Sequence, residues 1–224
     1  MIKLALFDCD GTLVDSGATI VGAIGETLVE HGLEVPCAEA SRRVVGLSLH
    51  EAMASLAPDG DGDDHAALAA TYRAIFFRRR SEGRIEEPLY AGMIKLLEAF
   101  EAGGWLLGVA TGKSDRGLRH CLESHGIAAR FVTLQTADRH PSKPHPSMAL
   151  AALAETGAAP ESSVMIGDTA YDMAMGRAAG MGAVGVGWGY HDSGELIAAG
   201  AHGVAETPLE VMTIAQNWLE MRHG

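Results

Sequence analysis

The stretch Leu4-Ala5-Leu6-Phe7-Asp8-Cys9-Asp10-Gly11-Thr12 joins an apolar run to a pair of carboxylates and a glycine. Four consecutive apolar residues read as a strand buried on both faces, the kind found inside a parallel sheet. In an extended chain, positions i and i+2 point the same way, so Asp8 and Asp10 are expected to share a face. Gly11 lets the backbone turn and approach a ligand closely. Ligands of open parallel sheets bind outside the carboxyl ends of the strands, and both acids stand there. The same residues also make an ordinary polar turn after a strand, because Asp and Gly favour turns. The rest of the chain decides between the two.

Working outward, residues 15–82 read as helical. Ser16 is a candidate N-cap, Ile20, Ile24 and Leu28 recur at helical spacing, and Gly32 fits a stop. A short helix is expected after Pro36, broken at Gly46-Leu47. Ser48-Leu49-His50-Glu51 has the form of a capping box. A last helix carries Leu68, Tyr72, Ile75 and Phe76 and ends in Arg78-Arg79-Arg80, read as a solvated helix end beside the negative pole of the helix dipole. From Pro88 the texture changes to alternating strands and helices. Strands are expected at 105–110, 131–134, 164–166, 183–186 and 203–205. Such alternation predicts an α/β fold: a doubly wound, Rossmann-like parallel sheet with helices on both faces. Residues 1–14 and 83–224 would form this core, and residues 15–82 an inserted all-helical domain.

Composition narrows the function. The chain of 224 residues is 47% hydrophobic and 21% charged, ordinary for a globular protein. Its net charge of −12 argues against a nucleic-acid or anionic-membrane binder. Cys9, Cys37 and Cys121 form no CxxC pair, which argues against a disulfide framework or a zinc site and fits a reducing compartment. No long apolar stretch and no leader pattern is present, so a cytoplasmic location is expected.

The residues that follow each expected strand converge on one crevice. They are Asp8 and Asp10, then Thr111-Gly112-Lys113-Ser114, then Ser142-Lys143-Pro144, then Gly167-Asp168-Thr169-Ala170-Tyr171-Asp172. Clustered carboxylates repel one another unless a cation neutralises them, and hard oxygen ligands select Mg²⁺. With Lys143 and the Thr111 hydroxyl, such a site would receive a phosphoryl group. One carboxylate can attack phosphorus, and another can protonate the leaving group. Each piece also has a purely structural reading. Thr111-Gly112 fits the start of a helix, Lys143 fits an ordinary loop lysine, and Asp168 and Asp172 fit a helix N-terminus. His120, His125 and His145 lack metal-ligand spacing. Gly185-Val186-Gly187-Trp188-Gly189 opens no long helix and reads as a loop on the pocket wall rather than a dinucleotide site.

Taken in order, Asp8-x-Asp10-Gly11-Thr12, Thr111, Lys143-Pro144 and Gly167-Asp168-x-x-x-Asp172 resemble the haloacid dehalogenase superfamily over nearly the whole chain. The helical insertion resembles the small cap of its phosphoglycolate phosphatase and beta-phosphoglucomutase branch. The resemblance implies that Asp8 is the nucleophile and Asp10 the general acid/base, with Thr111 and Lys143 on the transferring phosphoryl group. It implies Mg²⁺ held by the Asp8 carboxylate, the Asp10 main-chain carbonyl and Asp168, with Asp172 in support. Gly11, Thr12 and Gly112 would border the substrate, and a loop containing Gly46 and Ser48 would touch it. Ser142 departs from the glycine often found before the motif lysine. The expected function is a Mg²⁺-dependent phosphatase acting through an aspartyl-phosphate on a small phosphorylated metabolite, 2-phosphoglycolate first among the candidates. Thr12, where related mutases carry an aliphatic residue, favours hydrolysis. The rivals are a sugar-phosphate mutase, with Arg42, Arg43, His50 or Arg73 holding a second phosphate, and a phospho-accepting signalling domain.

Overall fold

The structure, a computed structural model, describes residues 1–223. Strands β1 (Lys3–Phe7), β2 (Trp105–Thr111), β3 (Phe131–Thr136), β4 (Ser163–Gly167), β5 (Gly182–Val186) and β6 (Gly203–Ala205) form one parallel sheet in the order β3-β2-β1-β4-β5-β6. This is the doubly wound α/β fold expected from the sequence. The chain winds outward from β1 to β3, then crosses back to β4 on the other side of β1. That reversal opens a crevice beside the carboxyl end of β1, the place where such sheets bind ligands.

The alternation along β1 explains its continuous apolar sequence. Ala5 and Phe7 enter one core with Leu96, Phe100, Val109 and Trp218. Leu4 and Leu6 enter the other with Met148, Ala149, Met165 and Met175. Both faces are covered, so every side chain from Leu4 to Phe7 is fully buried. Phe100 fixes one layer edge-on, its ring centroid 5.6 Å from Phe7 and 5.3 Å from Trp105. The covering helices are α5 (Met93–Ala102), α6 (Asp115–Ser124), α7 (Ser147–Thr156), α8 (Ala170–Ala178), α9 (Ser193–Ala198) and α10 (Pro208–His223).

Between β1 and α5 lie α1 (Gly17–Glu30), α2 (Ala38–Arg42), α3 (Leu49–Leu56) and α4 (Gly62–Ser81). They share an apolar cluster of their own, built on Ile24, Leu28, Val44, Met53, Leu68 and Ala69. Asp61 caps α4, its side chain accepting from the backbone N–H groups of Asp63 and Asp64. The two segments joining these helices to the sheet run side by side. Asp15 N–H donates to the Pro88 carbonyl at 2.8 Å, and Tyr90 N–H to that of Leu13 at 3.1 Å.

Two local expectations change. Ser16 precedes α1 but makes no side-chain cap; its hydroxyl is spent on Asp10 instead. The Arg78-Arg79-Arg80 run is not simply a solvated end. Arg79 is 12% exposed and pins α4 to α1 through Glu26 at 2.7 Å and the Thr19 carbonyl at 3.1 Å.

Candidate active site

The chain bends at Cys9 as it leaves β1, and this bend parts the two carboxylates. Asp8 is held by β4: its N–H donates to the Ile166 carbonyl at 2.8 Å. Its side chain turns inward, fully buried, to Lys143, Asp168 and Asp172. Asp10 turns outward, towards the helical layer and Lys113. The expectation that both would point the same way therefore fails, because position 10 no longer belongs to a strand.

Lys143 reaches the inner cluster from the loop after β3. Its ammonium lies 2.6 Å from Asp172 Oδ1 and 2.9 Å from Asp8 Oδ1. Asp168 and Asp172 come from the turn between β4 and α8. Asp172 is held by the Thr169 hydroxyl at 2.6 Å and the Thr169 N–H at 3.1 Å, a capping box that fixes its rotamer. Asp168 accepts from the Thr12 hydroxyl at 2.9 Å and the Tyr190 N–H at 3.0 Å. Gly11 leaves room for it: a Cβ there would fall 2.2 Å from Asp168 Oδ2, and φ is +80°. A Cβ at Gly189 would fall 2.1 Å from the Asp168 Cβ. These glycines are thus required by the close approach of a carboxylate.

Asp8, Asp168 and Asp172 can each bring one oxygen within 4.8 Å of the others. Three fully buried acids share one ammonium, so the cluster is short of positive charge. Burial, against the pull of Lys143 and with the push of Asp172 and Asp10, raises Asp8 to about 7. Burial and the neighbouring Asp8 and Asp172 likewise raise Asp168 well above the usual carboxylate range. Burial works against the Lys143 charge, but Asp172 and Asp8 outweigh it and its pKa rises. Among the described residues, Asp8 Oδ1 meets the Lys143 ammonium and Oδ2 has no partner. An orphaned buried carboxylate oxygen beside two further acids belongs to a donor set suited to a hard divalent cation.

The outer carboxylate has its own frame. Lys113 lies 2.9 Å from Asp10 Oδ1 and 2.6 Å from Glu87 Oε1. The Ser16 hydroxyl donates to the same Asp10 oxygen and stands 3.3 Å from the Tyr190 hydroxyl. Burial opposes the charge on Lys113, but Asp10 and Glu87 outweigh it. Ser16 and Glu87 belong to the two segments that join the helical layer to the sheet.

The other expected site residues fall as follows. The Thr111 hydroxyl accepts from the Lys113 N–H at 3.2 Å, and the residue is fully buried at the end of β2. Gly112 lies under the helical layer: a Cβ there would sit 2.3 Å from the Leu47 carbonyl oxygen. Gly46, at φ +96°, rests on Thr169. The Thr12 side chain is buried, and its hydroxyl donates to Asp168. Ser48 caps α3, its hydroxyl accepting from the Glu51 N–H at 3.4 Å. Its N–H is taken by the Ser142 hydroxyl at 2.7 Å, so the serine that replaces the usual glycine ties the loop to the core. Arg43 is held by Glu195 and is not free for a second phosphate. Glu87, Ser16 and Tyr190 are absent from the expected site, and Lys113 is in the expected crevice without a role. Only Lys113, directly after Thr111-Gly112 at a strand end, carried a signal for it.

A matching family model, described as haloacid dehalogenase-like hydrolase, spans residues 5–186. The chain belongs to the haloacid dehalogenase-like hydrolase family. It is 32% identical to "Probable phosphatase IndB" of Dickeya dadantii over 99% of this chain and 96% of that one. It is 32% identical to a phosphoglycolate phosphatase of Rhodospirillum rubrum, covering 85% of this chain and 81% of the relative. It is also 33% identical to "Tyrosine-protein kinase PtkA" of Mycobacterium tuberculosis over 84% of this chain, but spans only 63% of that protein. Among solved structures, a hydrolase from Pseudomonas syringae superposes with a TM-score of 0.83 at 25% identity, covering 96% of this chain and 98% of that one. The family and its phosphatase relatives make this member a phosphatase-type hydrolase.

Proposed function

We propose that this family member hydrolyses small phosphate monoesters through an aspartyl-phosphate on Asp8, in a Mg²⁺-dependent reaction in the cytoplasm. One observation carries the reading: a buried nucleophile-ready carboxylate beside Lys143, with a separately framed acid two residues on. Asp8, Asp168 and Asp172 are the side chains that would hold Mg²⁺, with the Asp10 carbonyl; the ion supplies positive charge against the phosphoryl oxygens and favours ionised Asp8.

An Asp8 oxygen attacks phosphorus and the bond from phosphorus to the ester oxygen breaks. Asp10 gives its proton to the departing alkoxide. Asp10 then takes a proton from water as that water attacks phosphorus, and inorganic phosphate leaves with Asp8 restored. Thr111 and Lys143 bind the phosphoryl oxygens. The helices of residues 15–82 act as a cap over the core formed by residues 1–14 and 83–224. Gly112, Gly46 and Ser48 border the substrate, and Gly11 and Thr12 serve it indirectly by placing Asp168. Because relatives carry that name, 2-phosphoglycolate is the first compound to assay.

The test is phosphate release from a panel of monoesters after chelation and again with Mg²⁺. Activity should vanish on verified metal removal and return with Mg²⁺. Asp8→Asn should lower turnover by several orders of magnitude. Near-normal phosphate release from folded Asp8→Asn would refute the covalent route.

A further inference from the structure

A cavity of about 560 Å³ lies between the helical layer and the carboxyl edge of the sheet. Asp10, Gly112 and Lys113 line its inner end, whereas Asp8 and Lys143 do not. It therefore begins at the proposed leaving-group acid and extends away from the phosphoryl site. Its volume falls in the roughly 300–1,000 Å³ range of sites that enclose drug-sized ligands. Glycolate, a two-carbon acid, would fill little of it.

The walls describe a ligand. Ile20, Leu49, Met53, Tyr72, Phe76 and Phe77 supply apolar surface. Phe77 remains 54% exposed at the rim. Four cations, Arg73, Arg80, Lys113 and Arg116, line it with three acids, Asp10, Glu51 and Asp138. Lys113 is matched by Asp10 and Glu87. Asp138 is committed to the N–H of Asp115 at 2.8 Å. Arg73, Arg80 and Arg116 also line the cavity, and among the described residues no carboxylate or carbonyl holds them.

Arg80 is the most telling. Its neighbours Arg78 and Arg79 are both taken by Glu26. Its own Nε and Nη2 are shielded from water with no acceptor. Guanidinium nitrogens shielded from water without an acceptor are unfavourable, and such nitrogens mark a missing ion, water or ligand oxygen. Arg80 also borders a second cavity, but it packs on the Phe76 ring at 5.5 Å, and Phe76 is a wall of the first cavity only. Lys113 stands 6.0 Å from the same ring, so Arg80 lies one aromatic width beyond the inner end. Arg116 lies 4.9 Å over Phe77.

We infer that this cavity is the leaving-group site of a phosphate monoester whose alcohol is an apolar or aromatic body bearing a second anionic group, received by Arg80 with Arg116. This rests on the phosphatase reading above and goes beyond it in naming the substrate class. The anionic group can be a carboxylate or a second phosphate, and the cation cluster recognises what they share.

The test pairs aryl and biaryl phosphates with their para-carboxylated and para-phosphorylated counterparts, measuring kcat/KM for each. A second arm measures Kd for the matching non-hydrolysable aryl phosphonates in the wild-type protein. Anionic members should be favoured over their uncharged parents by about tenfold or more, the scale of one charge-assisted hydrogen bond. In Arg80→Gln that ratio should fall towards one, while Arg80→Lys should keep most of it; Arg116→Gln provides an independent reduction. Melting curves confirm that each variant is folded. Hydrolysis of the parent esters without any preference, or a preference untouched by both glutamine variants, overturns the inference. If no ester is hydrolysed, the phosphatase reading fails. The binding arm then decides the cavity alone, an Arg80-dependent preference upholding it and equal Kd values overturning it.

Discussion

Lys113→Met tests the frame around Asp10. The substitution keeps an unbranched side chain and removes an ammonium that lies 2.9 Å from Asp10 and 2.6 Å from Glu87. The three side chains are 9, 9 and 6% exposed, so solvent screens them little. Removing one partner of a buried ion pair costs about 3–5 kcal/mol, and here two carboxylates are left facing each other. The raised Lys113 pKa contributes stability that is fully present below the unfolded lysine value, near 10.5, and is lost as pH rises through the higher folded value. Across pH 5–8 the wild type therefore holds all of it. Urea denaturation should show a midpoint about 1–5 M lower at pH 8, given m-values of about 1–3 kcal/mol/M. Adding Glu87→Gln to the variant removes one orphaned charge and should recover a large part of the loss, the coupling that a double-mutant cycle isolates. A deficit below about 1 kcal/mol at pH 8 would refute the reasoning. So would no recovery with Glu87→Gln.

Two further perturbations address the inner cluster and the cover. In metal-stripped protein, burial chiefly raises Asp8 to about 7, so its neutral form stabilises the fold at low pH and that contribution is lost as pH rises through about 7. Asp8→Asn should therefore raise the melting temperature more at pH 8 than at pH 5, and a larger gain at pH 5 would contradict this. Gly112→Ala places a Cβ 2.3 Å from the Leu47 carbonyl oxygen, a backbone atom, so the loop must lift. Amide exchange at Ser48 should quicken and phosphate release should fall at least about tenfold, as expected when reacting groups are misplaced by an ångström; unchanged exchange would show that the loop does not bear on Gly112.

The parts legible in the sequence are those set by one short segment at a time. Leu4 to Phe7 announced a strand covered on both faces because burial on both faces leaves no polar position to alternate. The strand ends then located the inner cluster, since a parallel sheet brings its carboxyl ends to one edge whatever the strand order. What was not legible depends on direction and on pairing across the chain. Asp8 and Asp10 are two residues apart, yet a bend at Cys9 sends them to different partners. Ser16 looks like a cap and acts on Asp10. Arg78, Arg79 and Arg80 are indistinguishable as letters; only the position of Glu26 on α1 separates two pinned arginines from one without an acceptor. Tyr190 reaches both Asp168 and Ser16 from a loop far along the chain, with no spacing that could have marked it.

The same contacts bear on how a substrate enters. Asp8 is fully buried and does not line the cavity, so this arrangement is closed over the nucleophile. Ties across the crevice include the Ser48 N–H on Ser142, the Tyr171 hydroxyl on the Arg43 carbonyl at 3.2 Å, His191 at the same carbonyl, and the surface pair of Arg43 with Glu195. Arg116 over Phe77 and Lys113 near Phe76 add cation–aromatic contacts. Hydrogen bonds of this kind contribute about 0.5–1.5 kcal/mol each, and exposed ion pairs about 0–1 kcal/mol. The helical layer keeps its own apolar cluster, and the paired segments at Asp15–Pro88 and Leu13–Tyr90 stay linked when those ties part. Parting the two layers would break this handful of polar contacts and the two cation–aromatic contacts. Asp10 is positioned between those segments by Ser16 and by Glu87 through Lys113, so a hinge movement of those segments would change the frame of the proposed acid.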